Sequence, residues 1–500
     1  MKKSIPHTVI IGAGFAGLSA AVTLAAKGHR VTIVEKNKQV GGRARVFEKG
    51  GFTFDMGPSW YWMPDVMEDF FRQFGKSTSS YFELKRLSPS YQVIYAKDDV
   101  FCVPSDEEEL KTAFEQIEPG SSDKLDIFLK EAAYKYEVGM KEFVHRPGLS
   151  VMEFMELKVI KAAMKLDLLQ SFAKHVRQYF KSPKLLRLLE FPVLFLGAIP
   201  QNIPALYSMM NYADIKLGTW YPMGGFGQLV NAMYSLAKEL GVDFLTNTEV
   251  KKINIVHDKV SNVETTSGIL PADIVIGAGD YHHVEQQLLP KAVRNYSEKY
   301  WEKRVMAPSC LLYYIGVGKK LPRLQHHNLF FESDFALHAQ AIYEKPAWPE
   351  NPLYYVCCPS KTDPTVAPIG MENLFMLIPV APGLKDTEQI RVKYFNELVE
   401  RLEAFCGEKF KDDIVTTTTY AYTDFVNDYY AFKGNAYGLA NTLNQTAILK
   451  PRIKNKKLKN LFYTGQLTVP GPGVPPAIIS GQIVANYIIK HQKNIYESTI

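Results

Sequence analysis

Residues 9–35 read VIIGAGFAGLSAAVTLAAKGHRVTIVE, and the order of parts in that stretch sets the fold. An apolar run (Val9, Ile10, Ile11) leads into Gly12, Gly14 and Gly17, spaced G-x-G-x-x-G. An alanine-rich helix follows, Gly28 marks its stop, and a second apolar run from Val31 to Val34 ends in an acid, Glu35. The three glycines differ in role: Gly12 allows a tight turn, Gly14 the close approach of a pyrophosphate, and Gly17 helix–strand packing. The helix N-terminus offers unpaired N–H groups and a partial positive charge to phosphate. Glu35 stands where a carboxylate can accept from both hydroxyls of an adenosine ribose. The rival reading of a signal peptide, suggested by Lys2 and Lys3 before the apolar run, fits poorly, because three spaced glycines suit a turn and Glu35 completes a motif.

Six residues after Glu35 comes Gly41-Gly42-Arg43, and then Phe54-Asp55-Met56-Gly57-Pro58-Ser59. A second glycine pair with a cation gives another backbone approach to a long cofactor. With these segments the chain resembles the amine-oxidase-like flavoprotein superfamily and, more closely, its bacterial phytoene and carotenoid desaturases. Tyr221-Pro222-Met223-Gly224-Gly225 is similar to their YPxGG motif. Gly465-Gln466-Leu467-Thr468-Val469-Pro470-Gly471-Pro472-Gly473-Val474-Pro475 is similar to their closing block, with small departures at Gln466 and Pro472.

The resemblance implies an α/β fold: a discontinuous Rossmann-like FAD-binding domain with an inserted sheet-based substrate domain and a helical membrane-facing subdomain. The expected division is 1–75, 218–290 and 450–495 for FAD, 76–148 and 300–449 for substrate, and 149–217 for a helical lid. On the same footing FAD contacts fall on Gly12, Gly14, Phe15, Ala16, Glu35, Lys36, Gly42, Arg43, Gly57, Pro58, Ser59, Val250, Gly279, Gly465, Gly473, Val474 and Ala477. Glu153 roughly aligns with a family carboxylate and is the candidate proton acceptor. The implied reaction introduces C=C bonds into a C40 polyene by hydride transfer to flavin, of the phytoene-to-lycopene type. A hydroxycarotenoid or carotenoid 3,4-desaturase, a redox-neutral carotene isomerase, an amine oxidase and a flavin binder without turnover are the alternatives. Oxygen or a quinone is the expected electron acceptor.

Five hundred residues, 46% hydrophobic, suffice for two or three domains with substantial cores. A net charge of +6 does not call for nucleic acid. Cys102, Cys310, Cys357, Cys358 and Cys406 show no CxxC spacing, so inert thiols in a reducing compartment are expected. No metal site is expected; His282-His283 lacks further ligands at useful spacing and reads as a solvated helix start. No spanning helix is expected either. The expected location is the cytoplasm, peripherally associated with the cell membrane.

Val159, Ala162, Leu166, Leu169, Ala173, Val176 and Phe180 form a stripe at helical spacing, flanked by Lys158, Lys161, Lys165, Lys174, Arg177 and Lys181. That pattern suits a helix lying in anionic headgroups as well as one packed on its own domain. Trp60-Tyr61-Trp62 reads either as core or as the wall of an apolar cavity. Ser105 and Glu108 are spaced as a capping box. Six cations between Lys450 and Lys459 read as a solvated loop, with a second headgroup contact as the other reading.

Overall fold

Five short runs of buried aliphatic residues pair side by side into one parallel sheet, in the order Leu461–Tyr463, Ile274–Gly277, His7–Ile11, Arg30–Val34, Asp243–Leu245. The computed structural model describes residues 5–155, 170–194, 197–492 and 495. Both faces of this sheet are covered, so its strands read as continuous apolar runs rather than alternating ones. Val9, Ile10, Ile33, Ile274 and Ile276 are all fully buried.

Helix Phe15–Ala25 leaves the first strand through the glycine turn, and Gly28 (φ +83°) follows its end. It packs on the last helix, Val474–Lys490. That contact depends on Gly481, because a Cβ there would stand 2.4 Å from the Ala16 carbonyl oxygen. Ser19 Oγ donates to the Ile478 carbonyl at 2.6 Å across the same seam. Residues 459 positions apart thus meet in one layer.

A second sheet has seven strands, ordered Ile414–Tyr420, Ser309–Val317, Glu372–Val380, Tyr354–Cys357, His327–Phe330, Tyr91–Ala96, Asp99–Val103. Ser309–Val317 is buried on both sides. Leu311, Tyr313 and Ile315 join one core under helix Glu388–Cys406, while Cys310, Leu312 and Tyr314 face the other. The hairpin Tyr91–Val103 turns between Ala96 and Asp99 and joins this sheet by a parallel pairing with Asn328–Phe330.

Several local expectations shift. The cap of helix Glu107–Ile117 is Asp106, whose Oδ1 accepts from the N–H groups of Glu108 and Glu109; Ser105 sits one residue too early. Val250–Val256, Lys259–Thr265 and Gly268–Pro271 form a separate three-stranded antiparallel sheet. Of the helical stripe, Ala173, Val176 and Phe180 are buried in the protein's own core with Phe172 and Leu185. Val159, Ala162, Leu166 and Leu169 lie outside the described residues. Among the described residues no helix is long and apolar enough to cross a membrane.

Candidate flavin site

The carboxyl edge of the parallel sheet is where an open α/β fold offers a ligand crevice, and the glycine-rich segments meet there. Gly12 (φ +108°) donates to the Val34 carbonyl at 2.9 Å, and a Cβ on it would come within 3.1 Å of Gly279 N. Gly17 is barred to any side chain, since its Cβ would fall 2.1 Å from the Gly12 oxygen. Gly14 has nothing within 4 Å of where a Cβ would be, leaving open space at the start of helix Phe15–Ala25. That helix has no side-chain cap, so its first N–H groups are left for a ligand. Gly42 closes the other side, its Cβ position 3.2 Å from Gly14 Cα, and Gly41 donates to the Ala13 carbonyl at 2.8 Å.

Glu35 is buried at the end of its strand. Its Oε2 accepts from Ala13 N at 2.8 Å and its Oε1 from Asn37 N at 2.9 Å. A carboxylate retains lone pairs beyond these, so the ribose role is compatible with the fixed orientation. Thr248 N donates to the Glu35 carbonyl at 2.9 Å, which brings Val250 alongside. Val250 lines a depression with Glu249, His283, Tyr430 and Phe432. Lys36 stands 3.6 Å above the Tyr430 ring, whose other partner is the His283 ring, stacked at 4.0 Å and 7°.

Arg43 is half-buried, and desolvation pulls its pKa below the ordinary guanidinium value. It donates to the Asn435 carbonyl at 3.1 Å, and the Gln466 amide lies 3.0 Å from its Nη2. Its Nε has no partner. Gly57 must be glycine because a Cβ would strike the Arg43 carbonyl at 2.5 Å. Ser59 Oγ accepts from the Tyr355 hydroxyl at 3.0 Å, and Pro58 is half-buried between these residues. From the carboxyl end, Gly465 approaches Ala16, and Gly473 (φ +115°) caps the last helix ahead of Val474 and Ala477. Open backbone at Gly14, a bare helix N-terminus and a half-buried cation with an orphaned Nε–H fit a dinucleotide such as FAD.

Glu153 is placed differently from a free base. Its Oε2 accepts from Gly148 N at 2.9 Å, and its Oε1 accepts from Leu149 N at 2.9 Å and Ser150 N at 3.1 Å. Together with Ser150 it forms a capping box around the short helix Val151–Phe154. His282 and His283 do start a helix, capped by Asp280, but both are half-buried: His282 meets Glu298 at 2.8 Å and the Phe432 ring at 4.1 Å.

Trp60 stacks on His327 at 4.1 Å and 11° and meets Tyr91, Phe191 and Tyr355 edge-on or tilted; Tyr61 and Trp62 are buried. His327 lies directly opposite Cys357 in the sheet. His326, His327 and Cys357 bring ligand-type atoms within 4.8 Å of one another, a grouping that sequence spacing did not reveal. Burial holds His326 down at about 3 and pushes the Cys357 thiol up to about 12. His326 Nδ1 lies 2.7 Å from Thr362 Oγ1, and His327 Nδ1 lies 2.6 Å from the Tyr355 hydroxyl. The three groups therefore pack as a neutral polar cluster.

Sequence reasoning missed Asp55, Asn435 and Lys450. Asp55 accepts from Phe226 N at 2.8 Å and Gly227 N at 3.0 Å, fixing the helix that follows Gly224-Gly225, and burial raises it to about 6. Its position two residues before Gly57 was the available signal. Lys450 corrects the expectation of a solvated basic loop: it is buried, whereas Arg452, Lys456, Lys457 and Lys459 are exposed.

The family model of flavin containing amine oxidoreductases matches residues 15–489. A carotenoid 3,4-desaturase of Haloarcula japonica is 41% identical over 484 residues, covering 96% of this chain and 97% of the relative. A 4,4'-diapophytoene desaturase (4,4'-diaponeurosporene-forming) of Staphylococcus aureus is 32% identical over 497 residues, covering 96% and 98%. An oxidoreductase of Methanosarcina mazei shares the fold at a TM-score of 0.63 and 16% identity, covering 96% of this chain and 100% of that one. With its glycine turns, Arg43 and carboxyl-terminal block joined at one crevice, this chain belongs to the flavin containing amine oxidoreductase family and is an FAD-dependent oxidoreductase.

Proposed function

We propose that the chain is a carotenoid desaturase that inserts C=C bonds into a long polyene beside bound FAD. The observation that carries this reading is the junction of two surfaces. Open glycine backbone at the sheet's carboxyl edge adjoins, through Gly57-Pro58-Ser59, an aromatic face built from Trp60, Tyr91, Phe191, Tyr355 and Phe375. The archaeal and staphylococcal relatives are both named desaturases of carotenoid-type substrates, which supports a hydrocarbon over an amine.

Bound FAD supplies the two-electron oxidation by accepting hydride. The chain's part is to hold the ring, exclude water and stabilise the allylic cation left behind. Aromatic faces attract such charge by about 0.5–2 kcal/mol each, and the apolar surroundings strengthen every dipole aimed at it. Arg43 and the N-terminus of helix Phe15–Ala25 suit the pyrophosphate, and Glu35 the ribose. Oxygen or a quinone takes the electrons onward in this reading. The cofactor contacts named from sequence and the division into FAD, substrate and lid segments are part of the same proposal.

The higher likeness to a 3,4-desaturase favours C-3,4 of an already coloured carotenoid as the bond formed. The staphylococcal relative supports the phytoene-to-lycopene reading as second. Expression in one strain accumulating phytoene and another accumulating lycopene separates the two. A red-shifted pigment in the lycopene strain is expected; colour only in the phytoene strain selects the second reading, and no new pigment in either refutes both.

We further propose that the protein docks on a membrane surface to reach so apolar a substrate. Met152 and Met155 are 70% and 55% exposed, and Leu449 is 50% exposed. Their segments touch, since Gly148 sits against Ala447 and Arg452 Nη2 donates to the Leu149 carbonyl at 3.1 Å. Arg452, Lys456 and Lys457 follow as exposed cations, a pattern that suits anionic headgroups.

A further inference from the structure

Lys450 stands apart from the other cations of its loop. It is 3% exposed, and its Nζ has no hydrogen-bond partner. Asn441 is 4% exposed, and its Oδ1 is likewise unpartnered. Both side chains end at one point of the backbone: a Cβ built on Gly471 would lie 2.9 Å from Asn441 Oδ1 and 3.2 Å from Lys450 Nζ. An ammonium has three donors and no acceptor, and burying it without an acceptor is costly.

The topology says which part of the site this is. Tyr463 N donates to the Ile453 carbonyl at 2.9 Å, and Lys454 bridges Phe462, so the segment before Lys454 runs out over the carboxyl edge of the parallel sheet. Along the closing loop, Gly465 has Ala16 as a neighbour, at the start of the phosphate-facing helix. Six residues later, Gly471 has Asn441 and Lys450 instead. The loop has by then left the pyrophosphate turn and is two residues short of Gly473, the cap of the last helix.

The functional reading brings two molecules here. A polyene hydrocarbon offers a lysine no acceptor; the flavin ring offers carbonyl oxygens and ring nitrogens. We infer that Lys450 is a cofactor-contacting residue, its amine donating to the carbonyl-bearing edge of the bound flavin ring beside Gly471. The inference rests on the assignment of FAD to this crevice. A donor there interacts more strongly as the ring gains electrons, so Lys450 favours reduction of the flavin and with it the removal of hydride from substrate. In the protein without cofactor, burial lowers the amine's pKa to about 7, as expected of a cation that lacks its acceptor.

The test is a reductive titration of FAD-loaded Lys450→Met and Lys450→Arg against a reference dye. In Lys450→Met the two-electron equilibrium is expected to move at least about tenfold toward oxidised flavin, about 30 mV, with Lys450→Arg recovering most of it. An unchanged equilibrium with FAD bound overturns the inference. So does weaker FAD binding at an unchanged equilibrium, which would place the amine on the phosphates. Should the methionine variant not fold, an amine-acylating reagent applied to the wild-type protein with and without FAD decides the matter, read at Lys450 by mass spectrometry. Severalfold protection by FAD is expected, and equal modification overturns the assignment. A wild-type protein that takes up no FAD instead removes the functional reading itself.

Discussion

Asp214 accepts from the Tyr91 hydroxyl at 2.7 Å and from Thr219 Oγ1 at 3.1 Å, beneath the aromatic face that Trp62 and Tyr91 help to build. Burial raises its pKa from 3.8 to about 7. Between about pH 4 and pH 7 the folded chain therefore keeps a proton that the unfolded chain has released, so Asp214 lowers stability progressively as pH rises through that window. Asp214→Asn keeps the acceptor toward Tyr91 without the charge. It is expected to be more stable than wild type at pH 8 by on the order of 1–3 kcal/mol, with the difference vanishing below about pH 4. Thermal melts across that range check it, and equal pH profiles for the two proteins would refute it. No local pattern announces this carboxylate: Asp214 sits in ordinary helical sequence, and its burial beside distant Tyr91 and Trp62 and nearby Thr219 is what makes it special. Lys450 escaped notice for the opposite reason, because five neighbouring cations made a solvated run the natural reading.

At the scale of elements the sequence is far more legible. The glycine turn, the helix that stops ahead of Gly28 and the apolar strand that ends at Val34 all stand within one or two residues of expectation, because period and breakers are local. Pairing is not local. That His327 would lie opposite Cys357, or that a hairpin at Tyr91–Val103 would join a sheet formed after residue 300, depends on contacts that no periodicity encodes. Glu153 shows how an element can claim a residue picked out by alignment. With three backbone N–H groups on its carboxylate, we propose that it holds the loop before Val151–Phe154 rather than taking a proton. Glu153→Ala is expected to cost on the order of 1–2 kcal/mol, as for a lost cap. Glu153→Gln should keep substrate-driven flavin reduction within about threefold, a change under 1 kcal/mol. A hundredfold slower reduction in a Glu153→Gln protein of unchanged melting temperature would restore the role of base.

For the whole molecule, the question is how an insoluble substrate arrives. The exposed methionines at 152 and 155 and Leu449 lie on abutting segments with basic residues close by. Replacing Met152, Met155 and Leu449 by serine removes apolar surface that would enter the headgroup layer, at about 25 cal/mol per Å². The triple variant should sediment with anionic vesicles at least tenfold less than wild type at low salt, about 1.4 kcal/mol, while retaining its FAD and its melting temperature. Equal sedimentation of the two proteins, or none by either, would rule out this surface as the docking face.

The seam between helices Phe15–Ala25 and Val474–Lys490 carries a consequence for biogenesis. The outer strand of the parallel sheet, Leu461–Tyr463, and the glycines that follow it are synthesised long after the glycine turn that precedes Phe15–Ala25. The crevice that receives the coenzyme cannot close until they leave the ribosome, so up to that point the growing chain carries the nucleotide turn without its counterpart. Both halves of the crevice must therefore be in place before a coenzyme can be held between them.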